Sequence, residues 1–143
     1  LLPGRSDFKL VLHAGRSYYD RLLAAGVHIH EMDDAVMHAK TAVIDEYMVY
    51  IGSVNLDPRS ENTNTELGLF ARSPGLAQEV TNVINISKLE SSYRLRFAPD
   101  GQSLQWLAID DQQQVVLSQE PEATPLMRLE IMLLAPFVPE QEL

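Results

Sequence analysis

The 143-residue sequence contains no cysteine and a single tryptophan. Without a thiol, the chain cannot form disulfides, thiolate zinc sites, iron–sulfur clusters or a cysteine nucleophile. It also lacks any run of 18 uninterrupted apolar residues, so we expect no membrane-spanning helix within it. Positive charge is scarce, because 11 Lys and Arg stand against 20 Asp and Glu, and the resulting net charge of −9 disfavours nucleic acid as a partner.

What is present is the composition of a soluble globular protein, with 45% hydrophobic and 22% charged residues. The length suits one compact domain that buries roughly 70% of its unfolded surface. The sequence begins with leucine rather than methionine, and no basic segment precedes an apolar core and a cleavage site. We therefore expect a piece of a longer protein, without a signal peptide.

Charge is unevenly distributed along the chain. Residues 1–98 hold 12 acidic and 10 basic residues, whereas residues 99–143 hold 8 acidic residues and a single base, Arg128. Five of the eight prolines also lie in the second stretch. This asymmetry predicts a compact block over 1–98 and a smaller acidic appendage over 99–143.

Hydrophobic periodicity predicts strands mixed with helices, which indicates an α/β fold. Within 27–32, alternation places Ile29 and Glu31 on one face of a strand and His28 and His30 on the other. Hairpin turns are predicted at 45–47 and at 100–101. Helices are predicted over 17–25 (ended by Gly26), 74–89 and 124–134, and strands over 8–13, 27–32, 41–45, 48–51, 66–71, 93–97, 104–109 and 114–118.

Residues whose side chains can take part in catalysis or ligand binding are concentrated between positions 38 and 66. They are an imidazole, an ammonium, two carboxylates, a glycine and two neutral donors at fixed offsets, namely His38, Lys40, Asp45, Gly52, Ser53, Asn55 and Glu66.

The spacing of these residues indicates a phosphate-binding site. His38 and Lys40 are two positions apart, so on an extended segment they project from the same face, roughly 7 Å apart. A hairpin turn at 45–47 would return the segment 48–55 to their side, where Ser53 and Asn55 offer hydroxyl and amide donors. Gly52 permits a close backbone approach or an unusual dihedral angle. Such a group suits binding a phosphate and then attacking its phosphorus or protonating its leaving group.

Each residue alone has an ordinary structural interpretation. A single His or Lys near a strand end is usually solvated, Gly-Ser-x-Asn is commonly a turn, and Asp45-Glu46 is a solvated pair of charges. The conjunction of seven residue types at fixed offsets within 29 residues favours the functional interpretation.

The pattern His38-x-Lys40-x4-Asp45-x6-Gly52-Ser53-x-Asn55 resembles the HKD signature of the phospholipase D superfamily. The extended text HAKTAVIDEYMVYIGSVNLDPRSENTNTELGLF is similar to the second HKD motif of bacterial cardiolipin synthases, in particular the C type. The resemblance implies a phospholipase D-like mixed sheet flanked by helices, with a small C-terminal appendage of antiparallel strands.

The resemblance also implies a mechanism without metal or other cofactor. Two HKD histidines share the work, one forming a phosphohistidine and the other protonating the leaving alcohol. His38 would be the acid–base, although the nucleophilic role stays open. Lys40 and Asn55 would bind the nonbridging phosphate oxygens. The remaining implied roles are assistance from Ser53, a carboxylate of Glu66 that accepts a hydrogen bond from the histidine, and structural support from Asp45 and Gly52.

Only one HKD motif occurs here, whereas cardiolipin synthases carry two. We therefore expect the C-terminal half of a two-motif enzyme, with a homodimer as the alternative, and an isolated chain that is inactive. The implied reaction forms cardiolipin from phosphatidylglycerol and a second phospholipid, phosphatidylethanolamine being one candidate. The implied location is peripheral, on the cytoplasmic side of the bacterial inner membrane. Alternatives are a phosphodiesterase or nuclease that uses water as acceptor, and an inactive fragment that binds a partner.

Four features outside the motif invite a functional interpretation. His28 and His30, near Asp33 and Asp34, resemble a metal ligand pair, but acidic residues after a strand are routine; they could instead line the mouth of the site. Arg59 could bind a lipid headgroup or pair with a neighbouring carboxylate. Trp106 and the apolar segment 126–138 could enter a bilayer interface, but that segment offers little positive charge, so core packing is favoured.

Overall fold

The computed structural model describes residues 1–6, 12, 15–33, 36–55, 60, 64–110 and 113–121. Within these ranges, the strands form two antiparallel sheets, one of four strands in the order β1-β5-β6-β7 and one of three in the order β2-β3-β4. The predicted mixed α/β class is confirmed. The elements are α1 (Tyr19–Ala24), β1 (His30–Met32), β2 (Lys40–Ile44), β3 (Met48–Gly52), β4 (Gly68–Arg72), α2 (Pro74–Glu90), β5 (Ser92–Phe97), β6 (Leu104–Asp110) and β7 (Gln113–Leu117).

The described residues form two compact units. The first draws on Leu1–Met37 and Ser87–Val138 and contains the four-stranded sheet, whereas the second draws on His38–Ile86 and contains the three-stranded sheet. This division differs from the boundary predicted near residue 98, because β5 and β6, on either side of that position, are paired through Phe97 and Leu104. Charge reports the solvated surface and not the pairing of strands, which explains the difference.

The core of the first unit lies on one face of its sheet. Leu95 on β5 and Trp106 on β6 are directly paired, and both are buried together with Tyr19 from α1 and Ile29. Since burying large apolar and aromatic side chains is the main favourable term in folding, this cluster stabilises the unit. Trp106 is 7% exposed, so its predicted core packing is confirmed.

One acidic residue is buried beside this core. Glu31 is 1% exposed and accepts hydrogen bonds from Arg16 (Nη2–Oε1 2.6 Å, Nε–Oε2 3.1 Å) and from the Tyr19 hydroxyl (3.0 Å). A buried carboxylate is tolerated only when it is paired in this way. Burial and the neighbouring Glu31 carboxylate raise the pKa of Tyr19. The predicted alternation of Ile29 and Glu31 against His28 and His30 holds, and Glu31 takes a buried position that its charge alone does not indicate.

Most predicted elements are confirmed with shifted ends. α1 stops before Gly26, whose φ of 87° only glycine adopts without strain. β1 begins at His30 and not at residue 27, and β4 begins at Gly68 and not at residue 66. Residue 12 is the only described position of the predicted strand 8–13, and the predicted helix 124–134 lies outside the described residues.

The hairpin between β2 and β3 positions the site. Asp45 and Glu46 have φ angles of 51° and 55°, and the Tyr47 N–H donates to the Ile44 carbonyl at 3.0 Å. Two successive left-handed residues match the right-handed twist of a hairpin. The resulting register pairs Lys40 with Gly52, and the next strand pairs Gly52 with Gly68. The start of β2, the end of β3 and the start of β4 therefore meet at one end of the three-stranded sheet.

Candidate active site

His38 and Lys40 are in direct contact at this end of the sheet. Lys40 Nζ lies 2.9 Å from His38 Nδ1 and 3.1 Å from Nε2, and it donates to the His38 carbonyl at 3.1 Å. The arrangement thus holds an imidazole beside a positive charge. His38 is exposed, and Lys40 is half-buried at the first position of β2.

Ser53 and Glu66 form the second part of the site, on the adjoining strand ends. The Ser53 hydroxyl donates to Glu66 Oε2, and its oxygen accepts from the Leu67 N–H at 3.0 Å. The Ser53 N–H donates to the Leu67 carbonyl at 2.9 Å, which continues the pairing one residue beyond β3. These bonds fix the hydroxyl of Ser53 and the carboxylate of Glu66 relative to each other.

Ser60 completes this network, and the sequence did not indicate its role. It is 5% exposed; its hydroxyl donates to Glu66 Oε1 at 3.0 Å and accepts from the Asn55 N–H at 3.2 Å. Serine bears no distinctive spacing signal, so only the folded loop could reveal it. Ser60 links the backbone of Asn55 to the carboxylate that holds Ser53.

The ionisation of Glu66 follows from these contacts. Hydrogen bonds from Ser53, then from Ser60 and Asn64, together with the positive charge of Lys40, hold the pKa of Glu66 below its ordinary value. Each stabilises the charged form of the carboxyl group. Glu66 is therefore an anion at neutral pH, and the Lys40 charge acts on it.

The implied hydrogen bond from His38 to Glu66 is not formed among the described residues. The hydrogen bonds of Glu66 go to Ser53, Ser60 and Asn64, and the ring of His38 faces Lys40. The reason is local: residue 66 precedes β4 and lies against the end of β3, where hydroxyl groups are the nearest donors. This corrects the expected pairing, and leaves Lys40 as the electrostatic connection to Glu66.

Gly52 meets a steric demand, and its backbone angles do not require glycine. A Cβ atom built on Gly52 would lie 2.7 Å from the Leu67 carbonyl oxygen and closer still to the Tyr50 hydroxyl. A Cβ atom built on Gly68 would collide with the ring of Tyr50. The two glycines are paired across β3 and β4, so they form a smooth strip that the Tyr50 ring covers. Of the two uses predicted for Gly52, the structure shows close approach.

Asn55 and Asp45 occupy opposite situations. Asn55 is exposed beyond the end of β3. Asp45 lies in the hairpin turn, separated from Lys40 by the length of β2, roughly 16 Å.

The remaining candidates lie elsewhere. His30 Nδ1 is 3.4 Å from the Ser92 hydroxyl in the first unit, and His28 is exposed. Among the described residues, no three His, Asp or Glu side chains gather as metal ligands. Asp34, Arg59 and the segment 126–138 lie outside the described residues. In the part of the chain that the structure covers, neither helix has the length and apolarity needed to cross a bilayer.

The geometry therefore assembles the parts that a phosphodiester needs at one sheet end. His38 offers an imidazole, Lys40 offers a charge for phosphate oxygens, and the Asn55 side chain offers a neutral donor. Chemistry of this kind is acid–base or nucleophilic catalysis at phosphorus.

The chain is similar to known proteins over the segment that holds the candidate site. The family model described as "Cardiolipin synthase, PLD-like domain" matches residues 1–86, which include the whole candidate site. A cardiolipin synthase of Alkalihalophilus pseudofirmus is 34% identical over 99 residues, which are 68% of this chain and 19% of that protein. A cardiolipin synthase of Geobacillus thermodenitrificans is 43% identical over 70 residues, 49% of this chain and 14% of that protein.

A third relative, cardiolipin synthase A of Cronobacter sakazakii, is 35% identical over 83 residues, 58% of this chain and 17% of that protein. The chain thus spans less than a fifth of the length of these relatives. No solved structure matches it significantly. On the family match, which covers more than half of its residues, the chain belongs to the cardiolipin synthase family of phospholipase D-like domains.

Proposed function

We propose that this chain supplies one of two HKD motifs to a phosphatidyltransferase. The enzyme forms cardiolipin from phosphatidylglycerol and a second phospholipid, which is phosphatidylglycerol again or phosphatidylethanolamine. The observation that carries the proposal is the contact of His38 with Lys40 at the sheet end that also holds Ser53 and Glu66. Similarity to proteins named cardiolipin synthase supports the choice of reaction.

The reaction proceeds in two displacements at phosphorus. An imidazole nitrogen of one motif attacks the donor phosphate, and the P–O bond to the departing headgroup alcohol breaks, which is glycerol from phosphatidylglycerol or ethanolamine from phosphatidylethanolamine. That alcohol oxygen takes a proton from the imidazole of the other motif. The acceptor hydroxyl then gives its proton back to the second imidazole and attacks phosphorus, which breaks the P–N bond. His38 takes the acid–base role, and its ring lies beside the Lys40 ammonium.

The surrounding side chains stabilise the charge that develops on phosphate. Lys40 and the exposed amide of Asn55 bind the nonbridging oxygens, where preorganised donors act most strongly in the transition state. Ser53 is held by Glu66, so its hydroxyl is oriented before substrate arrives. Glu66 is a positioning residue, and Gly52 and Asp45 shape the hairpin that carries the others.

A second HKD-bearing unit completes the site, either in the same longer chain or in a second copy. The three-stranded sheet supports this part of the proposal, because apolar side chains beside the candidate site remain exposed. Leu69 is 67% exposed, its pairing partner Ile51 is 50% exposed, and Leu67 is 82% exposed. An apolar group at the edge of a catalytic site is typical of an interface that a partner covers. The assembled enzyme works as a peripheral protein on the cytoplasmic side of the bacterial inner membrane.

The test replaces His38 in this chain assembled with the second motif. Cardiolipin formation from phosphatidylglycerol vesicles should fall by about 10²- to 10⁴-fold in His38→Ala, the range for loss of a general acid–base. The matched control is His28→Ala, since His28 is exposed and has no part in the reaction. Both variants should keep the circular dichroism and melting temperature of the parent protein.

Product analysis separates the acceptors. Cardiolipin as the main product supports transfer to a lipid hydroxyl. Phosphatidic acid as the main product would replace the transferase with a phosphodiesterase that uses water. Equal cardiolipin yields from His38→Ala and His28→Ala would remove His38 from the mechanism.

A further inference from the structure

The first unit contains a basic cavity that the proposed chemistry does not use. The cavity has a volume of about 430 Å³, within the range of pockets that hold small ligands. Four of its lining residues carry basic side chains, and two offer neutral donors; none of the described lining residues is acidic. The six polar lining residues are His30, Lys88, Arg94, Arg96, Ser92 and Gln114.

Strand register explains how the sequence builds this cavity. His30 on β1 is paired with Arg94 on β5, and residues directly opposite each other project from the same face of a sheet. Arg96, two positions further along β5, joins that face, whereas Leu95 between them points into the core. The basic face is therefore the face opposite the apolar cluster.

The end of α2 adds the fourth basic group. Lys88 lies in the last turn of the helix, and the Ser92 hydroxyl donates to its carbonyl at 2.8 Å. The same hydroxyl lies 3.4 Å from His30 Nδ1. Ser92 thus connects the helix end to the strand pair and places Lys88 beside the cavity.

The described lining residues of this cavity include no carboxylate. Within the described residues, neither Lys88 nor Arg94 forms an ion pair, and Arg96 Nε donates to the neutral Gln105 side chain at 3.2 Å. Burial lowers the pKa of His30, and the positive charges of Lys88, the amino terminus, Arg94 and His28 lower it further. Four basic side chains that line one cavity, with no carboxylate among its described lining residues, favour an anion as the ligand.

We infer that this cavity is a phosphate-binding site separate from the HKD motif. Arg94 and Lys88 supply the charge, and Ser92 and Gln114 supply neutral donors. His30 gains a proton when the anion binds, since a nearby negative charge favours the imidazolium form. The phosphate belongs either to the headgroup of an anionic phospholipid or to a small phosphate ester in solution. Arginine and lysine are the side chains best suited to this chemistry.

Calorimetric titration of the full chain with inorganic phosphate tests the shared chemistry. Arg94→Gln and Lys88→Gln should each weaken binding by about tenfold, the effect expected for one charge-assisted hydrogen bond. The matched control is Arg72→Gln, because Arg72 is exposed on β4 and lies outside the cavity lining. All titrations use a Lys40→Gln background, which removes the main charge of the candidate active site.

The ring signals of His30 provide a second measurement. In the Lys40→Gln background, phosphate should raise the pKa of His30, and at the same phosphate concentration it should raise it less when Arg94→Gln is added. Equal phosphate affinities for Arg94→Gln, Lys88→Gln and Arg72→Gln, with no response of His30, would overturn the proposal. All of these proteins carry Lys40→Gln, so the result does not depend on whether the proposed transferase reaction is correct.

Vesicle flotation separates the two sources of phosphate. The cavity is assigned to a lipid headgroup if two results are found together. Arg94→Gln should weaken binding to vesicles of phosphatidylglycerol in phosphatidylcholine by about tenfold, and the chain should not bind phosphatidylcholine alone. Arg94-dependent binding of glycerol phosphate without Arg94-dependent flotation assigns it to a soluble ester. Absence of both effects argues against the site.

Discussion

The Glu66 carboxylate accepts hydrogen bonds from the Ser53 and Ser60 hydroxyls, and a third comes from the Asn64 side chain. All three favour its ionised form, which keeps its pKa below the ordinary value. Because the folded pKa is depressed, these contacts contribute stability above the unfolded carboxyl pKa, and that contribution is lost as the pH falls through the folded value. Glu66 therefore links acid sensitivity to the orientation of Ser53.

Removing one hydroxyl tests this account. Ser60→Ala should raise the pKa of Glu66 toward its ordinary value, because one of the hydrogen bonds to the charged form is lost. Carboxyl carbon chemical shifts followed over pH measure the change. Ser118→Ala, at an exposed position in the other unit, is the control and should leave the Glu66 titration unaltered. A Glu66 pKa unaffected by Ser60→Ala would contradict the assigned network.

For single residues, the sequence predicted which residue types form the candidate site better than it predicted their hydrogen-bond partners. The separation of His38 and Lys40 by two positions predicted that they share a face roughly 7 Å apart, and in the structure their side chains are in direct contact. The partner of Glu66 did not follow, because its position depends on how residues 53 and 67 bond across the strand ends. Ser60 carried no signal at all, since a buried serine that joins two loops has no characteristic spacing.

In the three-stranded sheet, two paired glycines form a strip that carries no side chains. Gly52 and Gly68 are paired, and the Tyr50 ring lies over both. Tyr50 also packs against Phe70, with ring centroids 5.0 Å apart. Close packing of this kind leaves no space for a methyl group, so the strip holds the end of β3 against the start of β4.

We predict that Gly52→Ala destabilises the chain by about 1–3 kcal/mol, the usual cost of overpacking. The added Cβ would collide with the Leu67 carbonyl and the Tyr50 hydroxyl. Gly75→Ala is the matched control: nothing lies within 4 Å of its Cβ position in α2, and it should stabilise the chain by about 0.4–1 kcal/mol. Urea unfolding of both variants measures the two free energies.

Equal stabilities of Gly52→Ala and Gly75→Ala would show that the Tyr50 ring moves aside without cost. In that case Gly52 would have no steric role. If Gly52→Ala lowers the free energy of unfolding and the addition of Tyr50→Ala restores it, the collision is with the Tyr50 ring.

Periodicity predicted the kinds of elements because each apolar pattern has its own repeat, 3.6 for α2 and 2 for the strands. It predicted their ends less well. β1 is confined to three residues, since pairing with β5 covers only His30–Met32. A strand ends where its hydrogen-bonding partner ends, and that partner lies about 60 positions away in the chain.

For the whole molecule, long-range pairing decides what local composition cannot. The shift in charge near residue 98 suggested a division, yet β5 and β6 pair across it. The basic cavity likewise draws His30 and Arg94 from distant segments, and only their pairing brings them together. Net charge describes the average surface, so an acidic chain can still hold a concentrated basic site.

The last prediction concerns the isolated 143-residue chain, which contains a single HKD motif. Two displacements at phosphorus need two imidazoles, one to bond phosphorus and one to move the proton, and the motif supplies only His38. The monomeric chain should therefore form no cardiolipin from phosphatidylglycerol vesicles. Sedimentation and a product assay over the same concentration range measure both quantities.

Activity that rises with the square of concentration, in step with a dimer seen by sedimentation, would show that a second copy supplies the missing imidazole. The exposed Leu67 and Leu69 give such a dimer an apolar surface to bury, and Leu69→Lys should then abolish association and activity together. Activity that is proportional to concentration while the chain sediments as a monomer would contradict the two-imidazole requirement, because one His38 would then perform both the nucleophilic and the acid–base step.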